Sequence, residues 1–116
     1  MNKSYRIGYV FERKVKKFLE DEYGDIVFRQ GKSRFPDLID ITTLGEVAFI
    51  ECKVNGRLSD EEIKRALELT IKTKSLFLIA SKNRKLRKNN IILMTIGEYI
   101  ERYRQDKKDK SKPQKI

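Results

Sequence analysis

Two short apolar segments joined at Leu44-Gly45 constrain the fold of this chain more than any other feature of its sequence. The first covers residues 37–43 and follows Pro36, which fixes the backbone as it enters an extended segment. The second covers residues 46–54, and a Leu-Gly pair supplies a tight reversal between antiparallel strands. The sequence therefore predicts a β-hairpin, and with it a sheet at the centre of the fold.

Two charged residues interrupt the second strand of this hairpin. Side chains alternate between the two faces of a strand, so Glu51 and Lys53 share a face with Val47 and Phe49 in a run that would otherwise be buried. Residues two apart on a strand reach one ligand together, whereas on a helix they diverge by roughly 200°. On these two residues alone, a salt-bridged pair that keeps the strand soluble is the alternative explanation.

The same Glu-x-Lys spacing occurs twice more, from Glu12 to Lys14 and from Glu62 to Lys64. Both triplets fall in segments with helical periodicity, where side chains two apart diverge. Placement on a strand therefore distinguishes the Glu51 triplet from the other two.

Asp37 gives the charged pair a chemical role. It lies near the start of the first strand and Glu51 near the end of the second, so antiparallel pairing brings both carboxylates to one end of the sheet. Two carboxylates held close repel each other unless a cation lies between them, and oxygen ligands favour Mg²⁺, with Mn²⁺ as a substitute. A zinc site is excluded because the chain has no His, and its single Cys52 fits a small apolar residue of the sheet.

Helical periodicity and capping signals predict three helices around this sheet. The first covers residues 4–22 and its apolar stripe consists of Ile7, Phe11, Val15 and Phe18. Glu12 lies at the margin of that stripe, which looks toward the sheet. The second begins at a capping box of Ser59 and Glu62, and its packing face consists of Ile63, Ala66, Leu67, Thr70 and Ile71. The third begins at Thr95 with Glu98 and runs to about Tyr103.

Strands over residues 25–30, 75–81 and 91–96 complete the order αβββαββα. This order predicts an α/β fold, with a five-stranded mixed sheet flanked by helices. At 116 residues the chain forms one domain. We expect that domain to cover residues 1–104 and residues 105–116 to be a basic, disordered extension.

The net charge of +10 predicts a polyanionic partner, of which nucleic acid is the commonest inside cells. Basic residues concentrate in two predicted loops, where a plain solvated surface is the alternative. They are Lys32 and Arg34 before Pro36, and Lys82, Arg84, Lys85, Arg87 and Lys88 between the last two strands. No segment approaches the roughly 20 apolar residues that span a bilayer, so we expect no membrane partner and a cytoplasmic protein associated with DNA.

Several of these residues together resemble the archaeal-type Holliday junction resolvases of the PD-(D/E)xK nuclease superfamily. The residues that carry the resemblance are Gly8, Glu12, Arg13, Arg29, Pro36-Asp37 and Glu51-Cys52-Lys53. The match extends from about residue 7 to residue 69. It implies a restriction-endonuclease-like core and a homodimer that hydrolyses phosphodiester bonds at four-way DNA junctions with Mg²⁺.

The resemblance also implies roles for individual residues. Asp37 and Glu51 would be metal ligands, Lys53 the catalytic lysine, and Glu12 a further acidic residue that binds metal directly or through water. Ser33 would match the active-site serine of the family, and Arg13 with Arg29 would hold phosphates near the scissile bond.

Two other function classes stay open at this stage. One is a PD-(D/E)xK nuclease with another DNA substrate, such as a flap, a single strand or a restriction-type site. The other is a non-catalytic nucleic-acid-binding domain, whose sequence would have lost an acidic or lysine position. Every such position is present here.

Overall fold

The computed structural model describes residues 3–31, 34–83 and 90–111. Their elements follow the predicted order: α1 (Lys3–Tyr23), β1 (Ile26–Arg29), β2 (Leu38–Ile41), β3 (Val47–Cys52), α2 (Asp60–Thr73), β4 (Leu76–Lys82), β5 (Ile91–Thr95) and α3 (Ile96–Ser111). None of the helices in this part of the chain is long and apolar enough to cross a membrane.

The five strands form one mixed sheet in the order β1-β2-β3-β4-β5. Strands β3 and β4 are parallel because α2 returns the chain to the same end of the sheet, and the other neighbours are antiparallel. The predicted hairpin is confirmed. Its turn needs Gly45 at a φ of +80°, a conformation that glycine adopts without steric cost, and Gly45 N donates to Thr42 O at 2.8 Å.

Helices cover the two faces of the sheet at different strands. Helix α1 buries Phe11, Val15 and Leu19 against the side of the sheet that holds Val27 and Ile50. Helices α2 and α3 pack on the opposite side, around Phe77 and Ile79 of β4. Ile7, predicted in the stripe of α1, is about half exposed because the stripe reaches the core only from Phe11 onward.

One expected packing face is rotated. Leu67 and Ile71 were expected to pack on the sheet, yet they are 37% and 74% exposed. Two residues of the expected face do pack on the core, Ala66 fully buried and Ile63 partly, and Leu69 packs there in addition. Successive helical residues differ by about 100°, so a stripe centred on Ala66 leaves Leu67 at its flank. The capping box at Ser59 is confirmed.

The last helix continues to Ser111, so the expectation of a disordered extension is wrong for residues 105–111. Lys, Arg and Gln favour helices, and no Gly or Pro occurs between Gly97 and Pro113. The rest of the expected extension, residues 112–116, lies outside the described residues.

Candidate active site

The hairpin brings Asp37 and Glu51 together. Leu38 pairs with Ile50, so Asp37 lies one residue before β2 and next to Glu51 on β3. Each carboxylate accepts a hydrogen bond from the other strand: Asp37 N donates to Glu51 Oε1 at 3.0 Å, and Cys52 N donates to Asp37 Oδ2 at 2.9 Å. The two carboxylates therefore lie at one end of the sheet, as the alternation predicted.

Glu51 is an unusual acid because it is only 5% exposed. Burial is the main cause of a raised pKa of Glu51, and together with the negative charge of Asp37 and hydrogen bonds with the Glu62 and Asp37 side chains it brings that pKa to about 9. Lys53 opposes this rise, but its effect is smaller. An ionised Glu51 therefore needs additional positive charge nearby, which a divalent cation would provide.

Lys53 lies beside these carboxylates, but its shortest contact is with another residue. Its Nζ is 3.8 Å from Glu51 Oε2 and 2.7 Å from Glu62 Oε2. Burial alone would lower the pKa of Lys53, but the hydrogen bond and charge of Glu62, together with Glu51 and Asp37, raise it above its usual value. Lys53 is therefore a charged ammonium.

Glu62 is a site residue that sequence reasoning missed. Burial would raise its pKa, but the hydrogen bond from Lys53 and that from the Ser59 backbone outweigh this effect and lower the pKa of Glu62 to about 2. The capping box with Ser59 is a sufficient local reason for a glutamate at this position, so sequence reasoning did not indicate the contact between Glu62 and Lys53. The signal that could have found it is the short connection from Lys53 to Ser59, which returns the start of α2 to the end of β3.

Glu12 approaches the site from α1. Its Oε1 accepts a hydrogen bond from Arg29 Nε at 2.9 Å. Burial raises the pKa of Glu12; the Arg29 hydrogen bond opposes this rise, and the negative charge of Asp37 adds to it. Tyr9, which sequence reasoning also missed, holds the Arg29 guanidinium 4.7 Å from its ring centroid and that of Arg13 at 5.7 Å.

The acidic residues fit a divalent cation through two carboxylates. In the ranges that the structure describes, no group of three or more potential ligand side chains is arranged around one point. Asp37 and Glu51 remain as an oxygen pair, and Mg²⁺ commonly binds one or two carboxylates while water completes its coordination. The structure pairs Glu12 with Arg29, so its role as a metal ligand stays a prediction.

Cys52 behaves as predicted for an apolar residue of the sheet. It packs against the core beneath α1, and burial raises the pKa of its thiol, with the charges of Asp37, Glu12 and Glu51 adding to the rise.

The predicted DNA-binding residues are only partly described. Arg34 and Lys82 are exposed. Arg34 lies three residues before Asp37, and its backbone N–H donates to Gly31 O at 3.3 Å. The other predicted positions lie outside the described residues: Lys32, Ser33, Arg84, Lys85, Arg87 and Lys88.

Comparison with known proteins identifies the fold. No family model matches the chain, and a search of curated proteins finds no match. The chain is similar to the solved structure of Hjc, a Holliday junction resolvase from the archaeal hyperthermophile Archaeoglobus fulgidus. The TM-score is 0.61 at 19% sequence identity, over 78% of this chain and 73% of that one. The predicted restriction-endonuclease-like α/β core is confirmed.

Proposed function

We propose that this protein is a Mg²⁺-dependent DNA endonuclease that resolves four-way junctions. One observation carries the proposal: Glu51 is buried between Asp37 and Lys53, at the end of a sheet that has the fold of a junction resolvase. A buried carboxylate against a second one is costly without a cation, and perturbed acids of this kind concentrate at functional sites.

The residues divide the chemistry between them. A cation held by Asp37 and Glu51 would supply Lewis-acid stabilisation of the scissile phosphate and a lower pKa for an attacking water. Lys53, held as an ammonium, orients that water and offsets the negative charge that develops on the phosphoryl oxygens. Hydrolysis breaks the bond from phosphorus to the 3′ oxygen and leaves a 5′ phosphate.

Basic side chains near the site bind the DNA backbone in this proposal. Arg13 and Arg29 share the ring of Tyr9, and Arg29 also contacts Glu12 beside the catalytic pair. Guanidinium groups suit phosphate oxygens because they donate two parallel hydrogen bonds. The second basic loop begins at the exposed Lys82 and would bind a further stretch of backbone.

A homodimer completes the proposal, because a four-way junction presents two equivalent strands to cut and a two-fold dimer matches that symmetry. On the sheet face opposite α1, two cross-strand rows contain no charged side chain: Ile26, Ile41 and Val47, and Phe28, Ile39 and Phe49. Ile26 and Phe28 are 59% and 54% exposed. Two copies of net charge +10 repel, so we propose that they associate through this uncharged face.

The dimer is tested by sedimentation of the wild type and Phe28→Lys. We expect the wild type to sediment as a dimer and the variant as a folded monomer, with an unchanged circular dichroism spectrum. A wild type that is monomeric at all concentrations, or a variant that remains dimeric, would contradict this interface.

The function is tested by cleavage of four DNA substrates with arms or duplexes of matched length: a four-way junction, a duplex, a flap and a single strand. We expect Mg²⁺-dependent cutting of the junction into nicked duplexes and none in chelator. Equal cutting of the flap or single strand would favour a nuclease with another substrate. Junction binding without any cutting would favour a non-catalytic binding domain.

A further inference from the structure

Helices α2 and α3 begin with the same chemical device. In α2, Ser59 N donates to Glu62 Oε1 at 2.9 Å and Glu62 N donates to Ser59 Oγ at 3.1 Å. In α3, Thr95 N donates to Glu98 Oε1 at 3.2 Å and Glu98 N donates to Thr95 Oγ1 at 3.1 Å. Each pair is a complete capping box, and each satisfies backbone donors that the first helical turn leaves without partners.

Only the box of α2 also contacts the candidate active site. Glu62 uses one carboxylate oxygen for the cap and the other for Lys53, whose Nζ is 2.7 Å away. Glu98 uses its Oε1 for both the backbone and the hydroxyl of Thr95, and it is exposed. The second contact of Glu62 is therefore additional to what a helix cap requires.

Lys53 needs such a contact because the strand does not fix its side chain. Strand β3 ends at Cys52, and the backbone of Lys53 is held by its N–H donating to Ala80 O at 2.9 Å. Beyond that point the side chain is a flexible four-carbon stem. A lysine bound tightly to Glu51 would also neutralise the carboxylate that a cation requires.

We propose that Glu62 is a positioning residue that holds the ammonium of Lys53 at the edge of the site and away from Glu51. The inference rests on the proposed nuclease function for its catalytic consequence. The first turn of α2 thereby fixes the position of a catalytic group just after β3, and it leaves Asp37 and Glu51 without a tight lysine contact, so that a cation can bind between them.

Glu62→Gln tests the proposal, because the amide oxygen still accepts the hydrogen bond from Ser59 N while the negative charge facing Lys53 is lost. We expect the single-turnover rate of junction cleavage to fall about 10- to 100-fold, by comparison with residues that orient metal ligands, whose removal has an effect of that size. The dissociation constant for the junction in chelator should stay within about threefold of wild type, since the basic surface is unchanged.

Two matched variants separate positioning from capping. Glu98→Gln makes the same change in the other capping box and should leave cleavage unchanged. Ser59→Ala removes the hydroxyl half of the α2 box and should lower the melting temperature without lowering the cleavage rate comparably. Equal losses of rate in Ser59→Ala and Glu62→Gln would overturn the proposal in favour of a helix cap alone.

The decisive experiment is a double-mutant cycle that combines Lys53→Met with Glu62→Gln. If Glu62 acts through Lys53, then adding Glu62→Gln to Lys53→Met lowers the cleavage rate no further, whereas independent roles give multiplied losses. Multiplied losses, or a wild-type rate in Glu62→Gln alone, would overturn the proposal.

A second readout does not depend on cleavage. The ¹⁵N-detected ammonium signal of Lys53 should shift in Glu62→Gln and stay in place in Glu98→Gln. A shifted signal in a protein that cuts no DNA would support the contact and refute the proposed function. An unshifted signal would refute the contact itself.

Discussion

Two pairs of carboxylates lie toward opposite ends of β2, and they share burial and mutual repulsion but differ in their other neighbours. Asp37 and Glu51 lie where β2 begins, beside Lys53. Asp25 and Asp40 lie toward its other end, where Asp40 faces the side of the sheet that α1 covers. Glu51 and Asp40 are both almost fully buried, and in both cases burial is the main cause of a raised pKa.

The difference between the pairs shows that a buried acid pair is not by itself a functional site. Asp40 is 3% exposed, and its Oδ1 has no hydrogen-bond partner among the described residues. Burial raises the pKa of Asp40 to about 7, with the hydrogen bond and charge of Asp25 contributing. Glu51 differs by having Lys53 within 3.8 Å and a backbone N–H on its carboxylate. Neighbouring cations and donors distinguish the site from a merely costly burial.

The largest expected difference between the two carboxylate pairs is in cleavage rate, when one charge is removed from each pair in turn. Asp37→Asn should lower the junction cleavage rate on the order of 1,000-fold, because losing about 4 kcal/mol of transition-state stabilisation from a metal ligand has that effect. Asp25→Asn is the matched control and should cut within about threefold of wild type. Similar losses in both variants would mean that the two pairs are not functionally distinct.

A smaller effect separates the candidate active site from the proposed DNA-binding surface. With four phosphate contacts, one for each described cation in the proposed interface, junction affinity should fall about a hundredfold between 50 and 200 mM salt. Those cations are Arg13, Arg29, Arg34 and Lys82. Asp37→Asn should show the same slope in a binding titration with chelator. An affinity that is constant over this range would argue against a polyanionic partner.

The sequence pattern predicted the hairpin that holds Asp37 and Glu51, but it did not indicate which face of the sheet each helix covers. In β2, Ile39 and Ile41 form the more apolar face, yet α1 packs on the face that holds Leu38 and Asp40. The choice depends on where α1 docks, which is a contact between segments distant in sequence. Asp40 is buried because α1 covers its face of the sheet, and no local sequence pattern predicts this burial.

Glu62 illustrates a second limit of sequence reasoning. Its contact with Lys53 requires the start of α2 to lie against the end of β3, and the capping box accounted for the residue without it. By contrast, the contact between Asp37 and Glu51 follows from strand alternation and one turn, and for that reason it was predictable.

The smallest expected effect is on stability and depends on pH. The pKa of Asp40 is higher in the folded protein than in the unfolded chain, so the folded state binds the proton more tightly and the free energy of unfolding falls as pH rises from about 4 to 7. Asp40→Asn removes this loss. The shift from 3.8 to about 7 corresponds to at most about 4 kcal/mol, so we expect Asp40→Asn to raise the melting temperature by at least about 5 °C at pH 8 and by less at pH 5.

Thermal unfolding monitored by circular dichroism at both pH values checks this expectation. An equal change at pH 5 and pH 8 would show that the effect of Asp40→Asn is packing rather than ionisation. Junction cleavage by the same variant should match the wild type, which would again separate Asp25 and Asp40 from the proposed catalytic pair.

The central claim is most directly tested by Glu51→Gln, which keeps the size of the side chain and removes the charge that a hard cation requires. Junction binding is measured in chelator and junction cleavage with Mg²⁺, on the wild type and the variant. We predict that binding survives with an affinity close to wild type, because the raised pKa already keeps Glu51 largely neutral in chelator, and that cleavage is lost. A variant that cuts at the wild-type rate would show that Glu51 is not a catalytic ligand and would contradict the account.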